Sequence, residues 1–109
     1  MTSRSASGEK QMSAIDRFQW ASEAEAVADL QRRGYAPSRY DYPPGCHFAE
    51  HTHPYEKIVV ALSGRFALTL GGETLILESL QGVRVPAGAR HAAWTVGEQT
   101  VRSLDAAKL

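Results

Sequence analysis

The chain has 109 residues, 43% hydrophobic and 22% charged, which is enough to bury a core without disulfides or a structural metal. Twelve basic and twelve acidic residues cancel, so no basic footprint for nucleic acid is present, and no apolar run approaches the ~20 residues of a membrane-spanning helix. The single cysteine, Cys46, excludes an internal disulfide framework.

Residues 1–14 are polar and serine-rich and have no signal-peptide shape; they are expected to form a flexible tail, with the cytoplasm as the default location. One helix is predicted over about 22–33. Ser22 is a good N-cap, Glu25 completes a capping-box pattern, and Gly34 follows the basic turn Gln31-Arg32-Arg33. Ala24, Val27, Ala28 and Leu30 give this helix a short apolar stripe, which must lie against something larger. The Arg32-Arg33 pair is a solvated helix end.

From residue 38 the apolar period becomes two. Strands are predicted at Arg39–Tyr42, His47–His51, Lys57–Leu62, Arg65–Leu70, Glu73–Leu77, Val83–Val85, His91–Val96 and Val101–Leu104, with Asp105 ending the last. Pro43-Pro44-Gly45, Gly82, Pro86-Ala87-Gly88 and Gly97 break them, and Ser63-Gly64 and Gly71-Gly72 read as hairpin turns. Many short strands with regular Gly and Pro punctuation predict an all-β sandwich or closed barrel. One domain is expected over 15–109, with its barrel over about 38–106.

Three histidines carry the chemistry. His51 and His53 are two residues apart, so on a strand both imidazoles share one face and can share a divalent ion at ~2.0–2.1 Å. His91 follows the Pro86-Ala87-Gly88 turn, which would aim its strand inward. The His-x-His pair alone does not decide between metal binding and coincidence. His47 shares their parity and is a candidate fourth inward imidazole or proton carrier, against the plainer role of a strand-start histidine bonded to backbone. Cys46, of opposite parity, reads as a small packing residue. Tyr40, Tyr42, Phe48, Phe66 and Trp94 read as core or pocket lining.

The segment from Gly45 through His51, Thr52, His53 and Lys57 to Gly64 resembles the first cupin motif: Gly, five residues, His, one residue, His, a Glu shortly after, then a closing Gly. Pro86-Ala87-Gly88-Ala89-Arg90-His91 resembles the second. The chain is thus similar to small single-domain cupins of the RmlC-like jelly-roll superfamily. The resemblance implies a double-stranded β-helix with one short N-terminal helix, a homodimer, and one divalent metal (Fe2+, Mn2+, Ni2+ or Zn2+) on His51, His53 and His91. Three positions depart from the pattern. Lys57 stands where the motif has its metal-binding glutamate, Leu80 where the second motif has an early glycine (Gly82 is nearby), and Thr95 where it closes with asparagine.

Lys57 leaves three readings open. It can stand beside a three-histidine centre and anchor an anionic group of the substrate. It can belong to a metal-free site, paired with Glu50 or Glu56. Or Glu56 or Glu50 can swing in as a replacement ligand, although Glu56 is one residue out of strand register with Lys57. The first reading implies a metal-dependent enzyme acting on a small anionic organic molecule, dioxygenase-like, with lyase or isomerase chemistry as further options. The alternative is a non-catalytic module that binds a small ligand or metal. Neither nucleic acid nor membrane is an expected partner.

Overall fold

The computed structural model describes residues 15–109; the tail expected over 1–14 lies outside the described residues. The elements are β1 (Arg17–Gln19), α1 (Glu23–Arg32), β2 (Tyr35–Tyr42), β3 (His47–His51), β4 (Lys57–Ser63), β5 (Arg65–Leu70), β6 (Glu73–Leu77), β7 (Gln81–Val85), β8 (His91–Val96) and β9 (Val101–Lys108). They form two antiparallel sheets, one in the order β1-β7-β4-β9-β2 and one in the order β3-β8-β5-β6. This is the double-stranded β-helix that the sequence leads one to expect.

The larger sheet is covered on both faces, which is why β4 reads as an almost unbroken apolar run, KIVVALS. Val59 and Ala61 point inward, against Phe66, Leu68 and Leu77 of the smaller sheet. Ile58, Val60 and Leu62 point outward, where Trp20, Ala26 and Leu30 cover them with Leu104 and Ala106 of β9. Leu30, Ile58 and Leu104 are almost fully buried, each contributing about 1.5–3 kcal/mol.

Helix α1 is capped as predicted: the Ser22 Oγ accepts a bond from the Glu25 amide at 3.1 Å. The Glu25 carboxylate accepts from the Ala21 amide at 2.6 Å, and Gly34 (φ 91) ends the helix. Its buried stripe is Ala26 and Leu30 with Val27 partly covered, whereas Ala24 and Ala28 of the predicted stripe are exposed.

Several boundaries differ from the sequence reading. Strand β2 begins at Tyr35 and carries Pro37; it is an edge strand, where a residue without an N–H is tolerated. Strand β9 continues past Leu104 to Lys108, because it is paired on both sides, with β2 and with β4. Asp105 is therefore mid-strand, not a terminator. The short strand β1, unread in the sequence, pairs with β7.

Gly71 and Gly72 both have positive φ, 61 and 81, and close the predicted β5–β6 hairpin. Ser63-Gly64 is not a hairpin turn. Strands β4 and β5 lie in different sheets, and Gly64 (φ 82) turns the corner between them. Leu80 adopts a φ of 63, the left-handed backbone that glycine supplies more readily at this motif position. Two bonds hold it there: its amide donates to the Ala61 carbonyl at 2.7 Å, and its carbonyl accepts from the Trp20 amide at 3.0 Å. Thr95, in place of the motif's asparagine, ties β8 to the β2–β3 loop, its hydroxyl donating to the Pro43 carbonyl at 3.2 Å.

Candidate metal centre and its pocket

His51, the last residue of β3, stands opposite His91, the first residue of β8. His53 lies two residues beyond β3, and the second motif fixes its backbone: the Gly88 amide donates to the His53 carbonyl at 2.8 Å. The two motifs are thereby joined directly. One ligand-capable nitrogen from each of the three rings falls within 4.8 Å of the others. The ring centroids are 4.3 Å apart for His51–His91, 4.7 Å for His51–His53 and 5.2 Å for His53–His91.

The protonation pattern follows from the second contacts. The Nδ1 of His51 lies 2.6 Å from the Ala49 carbonyl and that of His91 lies 2.9 Å from the Ala89 carbonyl. A carbonyl only accepts, so each Nδ1 carries the hydrogen, and in a neutral ring Nε2 is left with a free lone pair. The Nε2 atoms of His53 and His91 are buried without a hydrogen-bond partner among the described residues. Buried, unpartnered ring nitrogens within 4.8 Å of one another suit a divalent ion. Burial, above all, lowers the pKa of both His53 and His91 below the ordinary imidazole value of 6.5. The Lys57 ammonium and the neighbouring imidazoles add to this, and the Ala89 carbonyl partly opposes it at His91.

This has a pH consequence. Between the ordinary imidazole value and the lower folded value, the unfolded chain binds more protons than the folded one, so stability rises with pH in that window. In the metal-free protein the contribution of these two rings to stability is expected to be fully present above about pH 6.5 and to be lost progressively as the pH falls from there toward their lower folded values. Urea unfolding in chelator from pH 7.5 to 5 checks this. The loss should shrink in the His53→Gln/His91→Gln variant, and an equal loss in both would assign it elsewhere.

The three imidazoles sit at one side of a cavity of about 160 Å³. Tyr42, Phe48, Phe66 and Leu68 make the apolar wall, and Lys57 and Asp105 make the polar one. The Tyr42 ring stacks on Phe66 at 5.2 Å and meets Phe48 edge-on at 5.1 Å. Tyr40, half exposed, stacks on Tyr42 from outside.

His47 is not part of this pocket. The β3–β8 pairing shifts register between Phe48 and His51, so Ala49 and Glu50 together face Ala92. This bulge reverses the alternation upstream. Phe48, paired with Ala93, faces the cavity, while His47 pairs with Trp94 outside and their ring centroids are 6.1 Å apart. Neither glutamate joins the histidine cluster. Glu50 pairs with Arg90 at 2.8 Å on the surface. Glu56 accepts from the Tyr35 hydroxyl and lies 3.4 Å from Arg84. The partner of Lys57 is neither of them. Its Nζ donates to Asp105 Oδ2 at 2.9 Å, with Lys57 buried and Asp105 partly so. Asp105 is thus the pocket residue that the sequence reading missed. Continuing the alternation Val101, Ser103 past Leu104 would have placed it inward.

The chain belongs to the Cupin domain family, which residues 38–106 match. Among curated proteins, a polyketide synthase, CurC of Streptomyces cyaneus, is 40% identical over 60 residues, covering 54% of this chain and 39% of that protein. The chain thus matches well under half the length of that relative. A predicted oxalate decarboxylase from Thermotoga maritima has the same fold, with a TM-score of 0.62 at 18% identity over 87% of this chain and 80% of the other. A structure of the DMSP lyases RdDddP and RnDddQII is similar at a TM-score of 0.62 and 26% identity, covering 69% of this chain and 38% of that one. No helix of the described residues is long and apolar enough to cross a membrane.

Proposed function

We propose that the chain is a small metal-dependent cupin enzyme in which His51, His53 and His91 hold one divalent ion and the adjoining cavity takes a small oxygen-bearing organic molecule. The observation that carries this is the pair of buried, unpartnered Nε2 atoms of His53 and His91 beside His51. A bound divalent ion would supply Lewis-acid polarisation of a substrate oxygen or, as iron(II), redox chemistry of the dioxygenase type.

The chain's own groups do the rest. The Ala49 and Ala89 carbonyls hold the His51 and His91 rings in one tautomer. Tyr42, Phe48 and Phe66 bind the apolar part of the substrate and exclude water around it. Lys57 offers N–H donors to a substrate oxygen. The similarity to a protein named as a polyketide synthase favours a substrate built from carbonyl and hydroxyl groups on carbon rings or chains.

Metal analysis of protein purified without chelator or affinity nickel tests the reading. About one divalent ion per chain is expected, falling to background in the His91→Ala variant. A native chain that stays empty when offered iron(II), manganese(II), nickel(II) and zinc(II) in turn would overturn it.

A second reading, a non-catalytic ligand-binding module, is favoured by one observation. Lys57, in place of a carboxylate ligand, is close enough to lower the pKa of both His53 and His91. Calorimetric ligand binding with the ligand recovered unchanged in the presence of metal and air would support that reading over the first.

A further inference from the structure

Lys57 alone would make this pocket a carboxylate receptor, but it is not alone. Its Nζ lies 2.9 Å from Asp105 Oδ2, and both side chains line the cavity that contains the three imidazoles. They project from the paired strands β4 and β9, in which Lys57 stands opposite Ala107 and Asp105 opposite Val59, so the two are diagonal neighbours on one face. The pair is neutral overall. A carboxylate entering the cavity would gain the ammonium but would face the Asp105 carboxylate, and like charges in a partly buried site repel strongly. A ligand with an acceptor oxygen beside a hydroxyl meets no such conflict. Its acceptor takes an N–H from Lys57, and its hydroxyl donates to Asp105, whose carboxylate has further lone pairs to accept it. Phe48 and Phe66 line the cavity from the facing sheet, and the Tyr42 ring, on the same sheet as Lys57 and Asp105, packs against both. The cavity is about 160 Å³, and an apolar cavity of about 150 Å³ accommodates benzene, so one six-membered ring fits.

We propose that Asp105 and Lys57 form a donor–acceptor subsite that sets specificity, selecting a single ring that carries a hydroxyl next to a carbonyl and rejecting simple carboxylates. This rests on the cavity being the ligand site proposed above, and it makes Asp105 a specificity-determining residue.

Calorimetry with two probes, ortho-hydroxyacetophenone and benzoate, tests it on the full chain in zinc-loaded and chelator-treated form, with zinc content measured on the same samples. In the chelator-treated form, where no divalent charge attracts a carboxylate, the wild-type protein should bind the hydroxyketone at least about tenfold more tightly than benzoate. Asp105→Asn removes the repelling charge and keeps the shape. Benzoate binding should rise about tenfold there and the preference should collapse or invert. Lys57→Met should weaken both ligands. A wild-type preference for benzoate in that form overturns the proposal, as does failure to bind either ring or a preference ratio unchanged within about threefold in folded Asp105→Asn protein. The wild-type comparison needs no variant, so a variant that fails to fold does not rescue the idea. Zinc bound without the preference refutes the subsite and leaves the metal centre standing; the preference in a chain that takes up no zinc does the reverse.

Discussion

Replacing Lys57 by Glu is expected to make the metal-free protein less stable and the metal-bound protein tighter. In the native chain Lys57 and Asp105 form a partly buried ion pair of 2.9 Å. The variant sets two carboxylates against each other in its place. Removing one partner of a buried pair costs about 3–5 kcal/mol. Because a quarter of the Asp105 side chain is exposed, solvent screens the residual charge, and the expected loss is nearer about 2 kcal/mol. Adding a divalent ion should recover that loss, since the new carboxylate occupies the position from which the family motif supplies a ligand. Affinity for zinc(II), read by competition with a chromophoric chelator, should rise by an order of magnitude or more, about 1.4 kcal/mol. Lys57→Met separates the two effects, because it removes the cation without adding a ligand. Denaturation in chelator and in excess zinc(II) measures both. Unchanged stability together with unchanged zinc affinity in Lys57→Glu would mean that residue 57 acts on neither Asp105 nor the histidines.

Gly64→Ala is expected to be a strongly damaging single-methyl change in the barrel. Gly64 has a φ of 82, and an L-residue forced into left-handed backbone costs about 1–2 kcal/mol. Its added Cβ would also stand 2.9 Å from the Thr100 carbonyl oxygen and 3.1 Å from Val101 Cγ2. The carbonyl belongs to backbone and cannot swing aside, so the turn between the sheets must shift. A total loss of about 3 kcal/mol is expected, lowering Tm by roughly 12–20 °C for a chain of this size. Gly97→Ala is the control: its φ is 83, but an added Cβ would meet nothing within 4 Å, so it should lose only about 1–2 kcal/mol. Equal losses at the two positions would show that the Thr100 contact adds nothing to the backbone strain.

The contrast between these residues shows what a sequence can carry. Motif glycines and histidines are legible because each is tied to a fixed backbone position. Gly45, Gly64 and Gly88 all adopt positive φ, and His51, His53 and His91 meet where the two motifs touch. Strands β3, β5, β6 and β8 have the bounds their alternation predicts. The misses arise where pairing overrides composition. The segment Asp105-Ala106-Ala107-Lys108 has little intrinsic strand character, yet β2 and β4 hold it as strand from either side. Composition alone therefore makes Asp105 look like a strand end and hides its place in the pocket. Counting in twos places His47 inward, and a register shift in β3 breaks that count. Leu80 has the positive φ that its motif position demands without the glycine that would announce it.

That register shift gives β3 two independent reading frames. Downstream of it, His51 is locked to His91; upstream, Phe48 and His47 are assigned to cavity and surface by the extra residue alone. Sliding only the upstream half by one position would exchange a phenyl ring for an imidazole in the cavity wall without changing any amino acid. The three-histidine centre would be untouched. Phe48 of the cavity lining and His51 of the candidate metal centre, on one five-residue strand, can therefore be repositioned independently of each other.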